Sequence, residues 1–482
     1  MLCRNLGEGG MSYSITPNLG LKRPTPGADD DQWGTHWNEN ATILDTAFGS
    51  ASVVNVLDHG AKGDGVTDDT AAIQAALGQH LRAMIYIPVS PSGQPYLIGA
   101  PGLNIYGQTT VVIDGNLKLA NGANGGVLHI PAGSSQISIG GQGTIDANGA
   151  NQTTVPGFAL YADQSSHIRI SGITLQNALN WNLNIVQCSN VRVDGVKMLN
   201  CGNSNEFAQG SDDCWLTNCL IDGVNDLGFA FYGAVTNSGA IGNTIRNIGF
   251  AVGFATPTTA LNAIGAFSDA DQPGGCKNIV ISDNIISNCS GGAVYSDVFS
   301  GPNNESILVS GNISRGNGKW SGIQTLSDFG CDHCVDVTFI GNLSYNFGSA
   351  TITARGLYAS SNARGVNFTG NQVVNVGQGT TTGVGLYVNS TNLLFAGSNY
   401  FYDEPDDPTP NSMAFCISGS AGLRNAYVGN FCDTAPVNIT FQPDTAFSNA
   451  IKGVLSMRNL PTASTGLTAG DVWRNGTVLN SV

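Results

Sequence analysis

The sequence predicts an all-β solenoid, a right-handed parallel β-helix with a short N-terminal capping helix and small terminal extensions. Three observations predict it. The composition favours turns and strands over helices, a Gly/Asp-Asn phrase returns at nearly constant spacing, and a strand-like alternation recurs in step with that phrase.

Composition comes first. Only 11% of the 482 residues are charged while 41% are hydrophobic, so the chain has enough apolar side chains for a long core and too few charges for disorder. Its 64 glycines, with abundant Asn, Ser and Thr, supply turns between short strands. The net charge of −15 repels phosphate backbones and argues against a nucleic-acid partner. No apolar run approaches the ~20 residues that span a bilayer, so no membrane insertion is expected. The first ten residues lack the apolar core of a secretion signal, and Met11 reads as a start as good as Met1. The eleven cysteines form no paired framework. Cys188, Cys201, Cys214, Cys219, Cys276 and Cys289 are expected as buried free thiols, which pack like small hydrophobes. Cys331 and Cys334 flank His333, but a zinc site needs a second ligand pair, so they read as turn residues. No cofactor and no metal is expected.

The repeat is the second observation. Gly242-Asn243, Asp283-Asn284, Gly311-Asn312, Gly341-Asn342 and Gly370-Asn371 each precede alternating apolar residues and a second asparagine: Asn247, Asn288, Asn317, Asn346 and Asn375. From Asn284 onward the steps are 28, 30 and 29 residues; upstream, Gly172, Gly195 and Asn218 step by 23. Asparagine tolerates left-handed turns, and its amide can pair with the coil above, so a hydrogen-bonded ladder is expected.

The third observation is a turn feeding a strand. It recurs as Ser166-His167-Ile168-Arg169-Ile170, Ser189-Asn190-Val191-Arg192-Val193, Lys277-Asn278-Ile279-Val280-Ile281 and Val335-Asp336-Val337-Thr338-Phe339. Each alternates with period two, as a strand with one buried face must. No helix long enough for a crossover separates them, which suits three short strands per coil, stacked ~4.8 Å apart. A β-sandwich would not keep so long a one-dimensional repeat.

The ends differ. Residues 1–50, with Pro24, Pro26, Asp29, Asp30, Asp31, Trp33 and Trp37 followed by a faintly helical stretch, read as an arm or attachment segment. The solenoid is expected over 51–445. Asp69-Thr70 would cap a helix from Ala71 to Leu81, with Ile73, Ala76 and Leu77 on one face, covering the open end. The acidic, Pro-rich loop Asp403 to Pro410 marks the end of regular coils, and 446–482 reads as a short closing element.

The segment Asn55 to Gln74, with Asp58-His59-Gly60-Ala61-Lys62-Gly63-Asp64-Gly65 and then Thr67-Asp68-Asp69-Thr70, resembles the opening of the pectate-lyase-like β-helix superfamily. That superfamily includes polygalacturonase-like hydrolases and phage tailspike depolymerases. With the repeats, the resemblance covers about residues 53 to 445. Pro17-Asn18-Leu19-Gly20-Leu21 and Trp33 to Asp45 are similar to particle-proximal segments of phage tail proteins. Asn459-Leu460-Pro461 and Gly470-Asp471-Val472-Trp473-Arg474-Asn475-Gly476 look like a C-terminal element of such proteins. The resemblance implies a bacterial surface polysaccharide as substrate, a homotrimer, N-terminal attachment to a phage tail or baseplate, and a virion or extracellular location.

Hydrolysis of a glycosidic bond needs two carboxyls, one protonated and one ionised. Three groups offer them. Asn205-Glu206-Phe207 and Asn225-Asp226-Leu227-Gly228 fall near the N-x-D and G-D-D motifs of polygalacturonase-like hydrolases. They depart in having Glu206 for Asp and Asn225 for the first Asp, with no G-H-G or R-I-K following. Asp212-Asp213 shares the register of Ser166-His167 and so reads as a turn. A third group, Phe267-Ser268-Asp269, Tyr295-Ser296-Asp297 and Leu326-Ser327-Asp328, steps by 28 and 31 residues and is expected to line one edge with its carboxylates. Glu206, Asp226, Asp269 and Asp297 are therefore the catalytic candidates. Sugar-binding candidates are the aromatics Trp181, Tyr232, Tyr295 and Trp320 with Asn205, Asn225, Arg246 and Asp328. The function expected is an endo-acting glycoside hydrolase. A polysaccharide lyase would need a uronic acid, a Lys, Arg or Tyr base and often calcium, and the sequence shows no cluster of basic residues on successive coils; a non-catalytic glycan-binding tail fibre would use the same groove.

Overall fold

The computed structural model describes residues 13–16, 21–24, 33–49 and 53–433, less 80–82, 155–156, 255–258, 300, 323, 350, 378–382, 390, 405–412 and 422–424, and the strands Val437–Phe441, Ala450–Lys452, Val472–Asn475 and Val478–Ser481. Met1 and Met11, the Pro- and Asp-rich stretch after Pro24, the loop before Pro410 and the phrase at Asn459 lie outside the described residues. From Val53 the chain winds into a right-handed parallel β-helix. Three sheets of 15, 13 and 13 parallel strands run its length, and beyond the opening pair of the first sheet neighbours in each sheet are three strands apart in the chain. The first sheet opens at Val53–Asn55, the second at Tyr96–Ile98 and the third at Leu103–Asn104.

Alternation drives the coil. In Ser166–Ser171, Ile168 and Ile170 are buried while His167 and Arg169 are exposed, and the pairs Ile168 with Val191 and Ile170 with Val193 continue inward on the next coil. Register is pinned between sheets by left-handed turns. His167, Asn190, Asp213, Asn278 and Asp336, the second residue of each turn-strand phrase, all adopt positive φ, as do Gly172, Gly195 and Asn218.

The asparagine ladder is present and fully bonded. Asn243, Asn284, Asn312, Asn342, Asn371, Asn399 and Asn430 are buried in file, each Nδ2 donating to the next Oδ1 at 2.8–3.0 Å. Each amide also donates to a backbone carbonyl of the coil below, as Asn312 does to Ile281. Of the second asparagines, Asn247, Asn288, Asn346 and Asn375 take the left-handed turn, but Asn317 does not. Gly316 occupies that place, since Arg315 pairs with Tyr345, and Asn317 turns inward to donate to Ser314.

The capping helix α1 (Thr70–Gln79) buries Ile73, Ala76 and Leu77. Its Gln74 side chain exchanges two hydrogen bonds with the backbone of Asn104, where the third sheet opens. The glycines and acids of the opening segment are structural. Buried Asp69 accepts from the N–H groups of Lys62 and Gly63, and a Cβ on Gly63, itself at positive φ, would strike Ser90 and Tyr96. The ten described cysteines are free and buried, and burial pushes thiols such as Cys188 up to about 12.

Candidate active site

The third sheet carries an outward-facing file that adjacent pairings place in register. It runs Asn104, His129, Tyr161, Asn184, Glu206, Ala230, Gly265, Tyr295, Gly330, Tyr358 and Tyr387. Midway along it lies a groove of about 620 Å³, lined by Glu206, Asp226, Trp181, Tyr232, Asp269 and Tyr295 among others. Six of the twelve candidates read from the sequence thus share one cavity. Part of its wall comes from a long coil. The ladder step from Asn243 to Asn284 is 41 residues, and its surplus forms two loops that bring Ala260, Asn262 and Gln272 over the sheet.

Glu206 sits on strand Asn205–Ala208 and is only 5% exposed. Burial, then the charge of Asp226, pushes its carboxyl up to about 8, against a smaller pull from the Asn184 side chain. Asp226 lies in the turn before strand Phe229–Tyr232. Burial raises it too, but the Leu227 backbone and a 3.2 Å hydrogen bond from Ser204 Oγ favour its charged form. Two neighbouring carboxyls with environments that separate their proton affinities are the arrangement acid–base chemistry requires.

The remaining candidates divide. Asp269 accepts from Tyr232 Oη and from the N–H groups of Asp271 and Gln272, clamping a groove loop. The Tyr232 bond holds it below the usual carboxylate range. The expected acid file is not formed. Phe267 pairs with Asp297, and Val294 with Phe329, so the coil steps here are 30 and 35 residues rather than 28 and 31. Asp297 is 7% exposed beneath His333, 2.9 Å away, and does not line the groove. Asp328 is fully buried and accepts from Ser314, Ser344 and the Ala293 N–H, so it cannot meet a sugar. Asn205 is equally buried, bonded to Gly228 and Leu183. Asn225 is half-buried at the turn, its N–H given to Cys201. Arg246 belongs to the second sheet, where it pairs with Asp222 at 2.8 Å, and Trp320 packs on the core. Asp212 and Asp213 hold the turn register expected of them, with Asp212 opposite Ser189 and Asp213 paired to Arg192. Sequence reasoning missed Asn184 and Ser204, beside the two carboxyls, and the ring cluster of His129, Phe158 and Tyr161. Counting strand positions back from Glu206 along the file would have found Asn184 and Tyr161.

Fold and opening segment together define a pectate-lyase-like right-handed β-helix protein. The chain belongs to the family described as rhamnogalacturonase A/epimerase, pectate lyase-like, whose model matches residues 53–294. Among solved structures it is similar to the N-terminal fragment of gene product 12 of bacteriophage Phi29 (TM-score 0.56, 14% identity, covering 87% of this chain and 73% of that one). It is also similar to the tailspike of E. coli bacteriophage HK620, solved with a pentasaccharide (0.53, 15%, 85% and 79%). The surface adhesin PfbA of Streptococcus pneumoniae matches likewise (0.53, 15%, 75% and 94%). At these identities the likeness is one of fold. No curated protein sequence matches the chain.

Proposed function

We propose that this protein is a tailspike-like depolymerase that hydrolyses a bacterial surface polysaccharide, with Glu206 as general acid and Asp226 as the ionised partner. The observation that carries the reading is that groove: a half-open channel on one sheet in which a buried, proton-holding Glu206 lies near Asp226. Glu206 would protonate the leaving glycosidic oxygen. Asp226 would activate water or attack the anomeric carbon. Trp181 and Tyr232 line the groove as aromatic contacts for a sugar, while the Tyr295 ring stacks between Phe267 and Tyr358. Asp269 stays ionised and serves the loop, and Asp297 lies outside the groove, so neither is part of the pair.

The phage-tail origin, homotrimeric assembly and virion location belong to the same proposal, supported by tailspike neighbours. A lyase is disfavoured because no Lys or Arg lines this groove among the described residues. A binding-only fibre would have little use for a carboxyl held protonated near neutrality. Incubation with a panel of bacterial O-antigens and capsules tests the reading. New reducing ends without a new C=C absorbance support hydrolysis. An absorbing product would replace it with a lyase, and tight binding without size change would reduce it to a fibre.

A further inference from the structure

We infer that a second cavity, on the upstream side of Glu206, is a subsite for a neutral, hydroxyl-rich pyranose; this rests on the depolymerase reading. The cavity measures about 450 Å³ and is lined by His129, Phe158, Tyr161, Trp181, Asn184 and Gln272 among others. It joins the groove through Trp181, Glu206 and Gln272, which line both. Its floor is apolar and flat-sided: the His129, Phe158 and Tyr161 rings contact one another with centroids 5.3–6.5 Å apart.

What marks it as a site is unpaired polarity. Among the described residues, four buried side-chain atoms without a hydrogen-bond partner belong to residues that line this cavity: Trp181 Nε1, Asn184 Oδ1, Gln272 Oε1 and His129 Nε2. Asn184 is only 3% exposed. Each such orphan costs ~1–3 kcal/mol, so a cluster of four beside a candidate acid calls for a ligand that pairs them.

Their chemistry specifies the ligand. Trp181 Nε1 can only donate, while Asn184 Oδ1 and Gln272 Oε1 can only accept. Burial lowers the His129 pKa, keeping the ring neutral. Its Nδ1 lies 3.1 Å from Asn104 Oδ1 and donates there, which leaves Nε2 an acceptor. The ligand must therefore bring three donors and one acceptor. Sugar hydroxyls do both. A carboxylate brings no donor for these acceptors, and no Lys or Arg lines the cavity among the described residues to balance its charge. Arg355, on strand Ile352–Ala359, lines a third cavity five strands away along the sheet. A uronate is thus excluded at this subsite, whatever binds near Arg355.

The test uses full-length Glu206→Gln protein, silenced for cleavage, titrated with the same O-antigens and capsules. Trp181→Phe, which keeps a ring and removes the N–H, and Asn184→Leu should each weaken binding about ten-fold or more, with melting transitions confirming the fold. In an added Arg355→Gln background, carboxyl-reduced forms of uronate-bearing polymers should bind at least as tightly as their parents. Full affinity in both single variants, or loss of binding on carboxyl reduction, overturns the subsite and leaves the depolymerase reading intact. No binding to any polymer sinks that reading and the subsite with it.

Discussion

At the scale of the residue, the proposed chemistry turns on Glu206 and Asp226. Removing either proton carrier should cost about 10²–10⁴ in rate, so Glu206→Gln and Asp226→Asn should lose cleavage while circular dichroism stays unchanged. Activity should fall as pH rises through about 8, where Glu206 gives up its proton. It should fall on the acid side earlier than for an ordinary aspartate, because burial raises Asp226. A pH–rate profile checks both limbs. Linkage adds a stability test. Glu206 keeps its proton in the folded state up to about 8 but releases it near its usual 4.5 when unfolded. Folding therefore loses stability as pH rises between those values. The Glu206→Gln variant should melt higher than the parent at pH 8 and show a smaller advantage at pH 5. Buried Asp328, pushed up to about 6, acts with the same sign over a lower window. Its hydroxyl partners stand on two strands of the second sheet, Ile313–Arg315 and Leu343–Tyr345, which no local reading of Leu326-Ser327-Asp328 reveals.

At the scale of the element, the asparagine ladder fixes each coil on the next. Asn312 accepts from the Asn284 N–H and Nδ2, and donates to Ile281 and Asn342. Asn312→Leu strands several buried polar groups, each worth ~1–3 kcal/mol. It should destabilise by several kcal/mol in denaturant unfolding, well beyond Asn288→Gly at an exposed left-handed turn, where glycine fits. Parity and turn chemistry made these elements legible from sequence. Glu206 and Asp226 stand out in the sequence because they fall near the N-x-D and G-D-D motifs of polygalacturonase-like hydrolases, and the fold brings them into one groove. The acid file failed for a physical reason: inserted loops break the link between sequence spacing and coil height, so steps of 28 and 31 residues are not steps in space. A different surplus, in the 41-residue step from Asn243 to Asn284, brings Ala260, Asn262 and Gln272 to the groove wall.

At the scale of the molecule, three joined cavities follow the third sheet from the strand of His129 to that of Tyr358, sharing residues at each junction. They cover nine strands, which at ~4.8 Å per step is roughly 38 Å. A channel of that length, with the candidate acid away from either end, predicts internal cleavage. Polymer viscosity should collapse well before reducing ends accumulate, and the limit products should be oligosaccharides.

The most direct measurement is a crystal structure of Glu206→Gln protein soaked with an oligosaccharide of a cleaved polymer. The chain should lie parallel to the coil axis, with a glycosidic oxygen within hydrogen-bond reach of the residue 206 amide and the adjoining sugar against Trp181 and Asn184. A glycan bound on another sheet, or crossing the coils with no linkage near Glu206 and Asp226, would contradict it.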